Sequence, residues 1–173
     1  SMSPPRRDPK TFAVFTQFLL FASLLNLAAV VGMQNGLIRQ AAAASDAEFL
    51  ARVRSAAFMI WAGAIPLLIV PVMLFSDAIS DVLAGTRAHR LPVIAIALLA
   101  LAAGPAQIWC SILSGRKRVA SSLGAQAIGL VVGTAMAALM IVRGNEVAAV
   151  IGFAGGWIVT MGFAWLFAAG LRI

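Results

Sequence analysis

Five stretches of this 173-residue chain run apolar for the better part of a bilayer's thickness, at about 11–33, 56–75, 92–114, 123–142 and 147–171. Each is close to the roughly 20 residues an α-helix needs to cross the hydrocarbon core. A backbone in lipid must satisfy its own hydrogen bonds, so runs of this length read as helices. Barrel strands would be about half as long and would alternate apolar with polar residues. With 62% hydrophobic and 11% charged residues, the chain carries more apolar surface than one soluble core hides. The expected fold is all-α, a polytopic transmembrane bundle of about five spans forming one domain over 11–173. Residues 1–10 read as a tag remnant, Ser1 and Met2, and a polar tail broken by Pro4, Pro5 and Pro9. The first apolar run is longer than a signal-peptide core, and Arg39 interrupts before the alanines at 41–44, so a retained helix is expected.

The segments between the runs carry their own signals. Ser45-Asp46-Ala47-Glu48 matches a capping box, which predicts a helix starting at Ser45 with an amphipathic extension along Phe49, Leu50 and Val53 before the second span. Glu48 and Arg52 stand one turn apart and are placed to pair. Pro66 and Pro71 each remove an intrahelical hydrogen bond, so that span is expected to kink or unwind there. Pro105 is a third hinge candidate, in a span expected to continue to Ser114. Asp77, Ile79, Asp81, Val82 and Leu83 form a short amphipathic piece that Gly85 ends. Gly115 and the basic run Arg116-Lys117-Arg118 close the third span. Small residues recur every four positions at Ala125, Gly129, Gly133 and Ala137, and again at Gly152 and Gly156. The tight connection at 143–146 makes these two faces antiparallel neighbours, so packing within the chain is expected in preference to a seam between copies.

The net charge of +7 is distributed between the apolar runs, where Lys and Arg act as topological anchors and headgroup contacts and do not form a nucleic-acid-binding stripe. The cations after spans one, three and five number seven, against six on the other side when the tail is included and three when it is left out. Cys110 is the one cysteine, so no intrachain disulfide exists, and the lone His89 beside Arg90 reads as interfacial. No Asp, Glu, Lys, Arg or His lies well inside a span, and no catalytic, phosphate-cradling or metal-ligating pattern occurs. No enzyme activity, metal or cofactor is expected. Asn26, Gln107, Ser111, Gln126, Thr134 and Thr160 are expected to make hydrogen bonds between helices. Trp61 and Trp109 read as interfacial, while Trp157 and Trp165 are candidates to line a groove.

Two segments carry a family resemblance. TFAVFTQFLLFASLLNLAAVVGMQNGLIRQAA ends a span in a glycine turn and a basic residue, and ILSGRKR closes another with a glycine and a basic loop. In these the chain resembles the amino-terminal lobe of the polysaccharide (O-antigen type) flippases of the multidrug/oligosaccharidyl-lipid/polysaccharide exporter superfamily. The resemblance implies two lobes around a central cavity, alternating access, a lipid-linked sugar as substrate and a bacterial inner (plasma) membrane location. It places the linkers around Arg39 and Arg116 in the cytoplasm. Asn35, Gly36 and Arg39 occupy the matching turn, so Arg39 and Asn35, with Gln107, are the expected substrate contacts, the other reading of Arg39 being a topology anchor. The sequence begins at what would be the family's second helix and covers one lobe, so a homo-oligomer or a partner membrane subunit is expected to complete it. The alternative is a non-transporting structural or accessory subunit that packs against partner helices through Gly129, Gly133, Gly152 and Gly156.

Overall fold

The computed structural model describes residues 9–30, 32–86 and 89–170, and among them it contains eight α-helices and no strand. In chain order these are α1 (Pro9–Val30), α2 (Gln34–Ala43), α3 (Ala47–Leu74), α4 (Ser76–Ala84), α5 (Arg90–Leu101), α6 (Ala103–Gly115), α7 (Val119–Val142) and α8 (Glu146–Ala169). Four segments are long and apolar enough to cross a bilayer, namely α3, α5 with α6, α7 and most of α8, and the apolar α1 makes a fifth. The protein is therefore an all-helical integral membrane bundle of about five spans. Leu24, Leu27, Leu67 and Leu74 point outward, exposed by two thirds or more, as suits a surface that meets lipid.

Local chemistry sets most helix ends, and in several places it corrects the expectation from sequence. The N-cap of α3 falls one residue later than the Ser45 capping box predicts. Asp46 is the N-cap, its carboxylate accepting the Phe49 amide at 2.6 Å, while the Ser45 hydroxyl donates to the other Asp46 oxygen at 3.3 Å. That amide bond, with Ser45 and the nearby Arg52 cation, holds the Asp46 carboxyl below the ordinary carboxylate range. A carboxylate accepts the amide more strongly than a hydroxyl, so Asp takes the cap. The only ion pair among the described residues joins Arg90 to Asp77, so Glu48 and Arg52 stay apart. The extension's Leu50 and Val53, with Ala57, are buried against α2 and α6. It is thus part of the protein core at that end, not only an interfacial stripe.

Pro66 and Pro71 do not unwind α3, which runs unbroken through both. Each frees only one carbonyl, and the bonds on either side keep the turn. The break falls in the third span instead, at Ala102 between α5 and α6. Pro105 has no amide to donate to Leu101, and the Ala102 amide turns back to Leu99 at 3.0 Å, tightening the last turn of α5. The first run ends in a break of its own. Gly32 takes a left-handed φ of +65°, which glycine adopts without strain, and α2 follows where the sequence suggests a linker.

Contacts show how the two broken helices lie. Phe18 packs with Val93 and Ile96, Asn26 shares a cavity wall with Ala100, Gln34 bonds Gln107, and Gly115 meets Ile38 and Ala41. Helices α1 and α2 therefore run beside α5 and α6 in the same direction, and the two breaks fall at the same level. At the far end, Arg116 donates to the Ala44 carbonyl at 2.9 Å, and Arg118 reaches the Phe167 carbonyl at 3.5 Å. The basic loop thus clasps the carboxyl ends of α2 and α8, where the helix dipole favours cations, and it brings three chain segments to one end of the bundle.

Candidate functional site

A groove of adjacent cavities that share lining residues lies along the broken helices. One cavity of about 310 Å³ lies between Ser23, Asn26, Gly32, Gln34, Asn35 and Gln107. A second, of about 350 Å³, is bounded by Gln34, Gln107, Ser111, Ser114, Ser122 and Gln126. They meet at Gln34 and Gln107, whose amides bond at 3.1 Å across α2 and α6. Gln126 then links the second cavity to an apolar one of about 180 Å³ between α7 and α8, walled by Leu130, Phe153, Trp157 and Thr160. A narrow recess by Asn26 and Trp157 shares lining residues with both the first cavity and the apolar one.

The α6 wall follows from sequence spacing. Gln107, Ser111 and Ser114 stand at i, i+4 and i+7, on one face of a helix. On α7, Ser122 and Gln126 are one turn apart, and the Gln126 amide donates to the Ser122 hydroxyl at 3.4 Å. That hydroxyl donates across to the Cys110 carbonyl at 3.0 Å, tying α7 to α6 beneath the groove floor. Asn26 is half-buried and forms no hydrogen bond among the described residues. The Gln34–Gln107 bond uses one N–H and one lone pair, so the Gln34 oxygen and the Gln107 amide nitrogen stay available. An amide carried into hydrocarbon without a partner costs about 2–7 kcal/mol. Such a lining is stable only against water, a polar ligand or a covering chain.

Of the substrate contacts expected from sequence, Asn35 and Gln107 line the groove together. Arg39 does not. It is exposed on α2, one turn beyond Asn35 and outside the lining. Pro105 is buried where α6 begins, next to the groove, whereas Pro66 and Pro71 lie on α3 away from it. Gln34 and Gln126 were not singled out as contacts by sequence. Their polarity is plain in the chain, but only the packing of α2 on α6 and α7 brings them to the same cavity.

The remaining polar residues differ from expectation. Of the six expected to bond between helices, Gln107 does, and Gln126 also reaches the Cys110 thiol on α6. Thr160 donates back to the Gly156 carbonyl at 3.1 Å, the usual outlet for a helical hydroxyl, and Gln126 bonds within α7. Trp61 and Trp109 are not in an open belt. They pack edge-on with Phe58, Trp109 lies under the Arg54 guanidinium at 5.5 Å, and Trp61 presses its indole against Gly104. Trp157 lines the apolar cavity, while Trp165 faces outward.

Gly129, Gly133, Gly152 and Gly156 form the α7–α8 seam. A Cβ on Gly133 would lie 2.8 Å from the Phe153 carbonyl oxygen, and one on Gly129 would lie 2.6 Å from that of Gly156. The backbones are thus in contact, as small-residue faces allow. No protein-family model, curated protein or solved structure matches this chain.

Proposed function

We propose that this protein is one lobe of a carrier that moves a lipid-linked sugar across a bacterial inner membrane, and that a second copy or a partner membrane subunit closes its groove. The observation that carries the reading is the open polar groove at the level where α1 gives way to α2 and the third span breaks between α5 and α6. Discontinuous helices near the bilayer's middle are a recurrent way to build a transport site, because broken turns free polar groups that a continuous helix would satisfy internally. The resemblance to the amino-terminal lobe of polysaccharide flippases points the same way. In this reading the end clasped by Arg116 and Arg118 is cytoplasmic, and Arg39 stands at the groove's rim as a headgroup contact. An accessory role built on the glycine faces is less well supported, since those glycines already pack against each other inside the chain.

The test is flipping of a fluorescent polyprenyl-diphosphate sugar in proteoliposomes whose protein mass has been measured. Flipping several-fold above protein-free vesicles by a dimer, reduced by Arg39→Ala, Asn35→Ala or Gln107→Leu at unchanged yield of folded protein, supports the reading. A dimer that flips no faster than empty vesicles overturns it. Loss of folded protein with Arg39→Ala, in step with any loss of flipping, makes that residue an anchor.

A further inference from the structure

Taking the groove as the path of a lipid substrate, we infer that it selects an uncharged headgroup rich in hydroxyl or amide groups, while the adjoining apolar cavity receives the start of the attached hydrocarbon chain. Among the described residues, the groove's walls contain no Asp, Glu, Lys, Arg or His. Beside the apolar Leu27 and Ile38 and the Cys110 thiol, they offer side-chain amides and hydroxyls, each able to donate and to accept. That mixture suits sugar hydroxyls, which also do both. It suits a phosphate poorly, because an anion taken out of water needs a cation or several charged donors to offset its lost hydration.

Among the described residues, no cation at this end of the bundle lines the groove. Arg116 and Arg118 are held on the carbonyls of Ala44 and Phe167, and Arg39 lies beyond the lining. An anionic group between headgroup and chain would therefore meet no cation in the groove, which suits a lipid whose sugar is joined to its chains without a phosphate.

The placement of polar and apolar walls gives the ligand its second half. Gln126 borders both the polar cavity and the one walled by Leu130, Phe153 and Trp157, which sits midway along α7 and α8. A headgroup held by Gln34, Gln107 and Gln126 therefore directs its chain toward the middle of the bilayer, where hydrocarbon is at no disadvantage. A free sugar would leave that cavity empty.

The protein in phosphatidylcholine nanodiscs is titrated with a monoglucosyl diacylglycerol and with phosphatidic acid carrying the same acyl chains, and bound lipid is counted by native mass spectrometry. The glucolipid is expected to bind saturably and to resist a tenfold excess of phosphatidic acid. Gln107→Leu should weaken it by about tenfold, the equivalent of one well-formed hydrogen bond. Leu130→Trp, which fills the apolar cavity without touching the polar walls, should weaken it as well, and elution profiles establish that both variants fold. Tighter binding of phosphatidic acid, lost with Arg39→Ala and indifferent to Gln107→Leu, would overturn the selection of an uncharged group while leaving lipid carriage standing. Saturable binding of neither lipid would overturn both. Binding of the glucolipid without flipping would remove transport and keep the site.

Discussion

The α7–α8 seam and the groove beside α2 and α6 are both made from apolar helices with small or polar residues at one-turn spacing, yet the first brings two backbones into contact beside an apolar cavity and the second leaves a polar surface open. In the seam the special residues are glycines, whose missing side chains let two backbones touch, and the one hydroxyl present, on Thr160, turns back onto its own helix. Nothing polar is left over. In the groove the special residues are amides and hydroxyls on helices that are broken, and their groups outnumber the partners the fold supplies. The contrast separates what holds the bundle together from what it presents to a ligand. Small residues close a surface, whereas long polar ones at a helix break keep it in need of company.

The sharpest way to break that contrast is at Gly133. Its neighbours are backbone atoms of Phe153 and Gly156, which have no rotamer to yield, so Gly133→Leu must prise α7 from α8. A loss of about 3 kcal/mol, the upper end for overpacking, is expected as a large fall in the melting temperature of the monomer in detergent. A change in oligomeric state with the monomer's melting intact would show that the seam lies between copies. Arg116→Ala comes next. It removes a charge-assisted bond to the end of α2, and about 1 kcal/mol should be lost, seen as faster amide exchange at residues 41–44. Gln107→Leu should leave stability within about 1 kcal/mol, because its partner Gln34 still faces the groove, while ligand binding falls. A melting temperature reduced as far as by Gly133→Leu would make the amide pair structural.

The smallest effect is at Asp46. Its folded carboxyl titrates below the ordinary range, so the cap's contribution is present at neutral pH and is lost as pH falls through that lowered value. Asp46→Ala should speed exchange of the Phe49 amide at neutral pH and make no difference in strong acid. Equal exchange rates at neutral pH would show that Ser45 holds the turn.

The spans were legible because lipid imposes one dominant rule, and hydropathy alone reports it. The glycine seam was legible too, since four-residue spacing and a short loop leave few other places for those faces to go. Helix α2 was not. Gln34-Asn35-Gly36 reads as a turn, and what makes it helical is the burial of Leu37 and Ala41 against α6, a tertiary gain that no local pattern announces. The prolines show the same limit. Pro66, Pro71 and Pro105 look alike in sequence, but only the span holding Pro105 breaks, where Gly104 also admits the Trp61 indole. For the site, the face of Gln107, Ser111 and Ser114 lay open to a helical count. Gln34 and Gln126 did not, because their meeting with it depends on how three helices pack.

The groove's character is tested most directly by single-cysteine labelling in liposomes with Cys110 replaced by Ser. The account predicts that Asn26→Cys reacts with a hydrophilic, membrane-impermeant maleimide and is shielded by the glucolipid, while Leu24→Cys, two residues away on the lipid-facing side, does not react. Equal silence at both positions would mean that the groove is closed to water and ligand alike, and would contradict it.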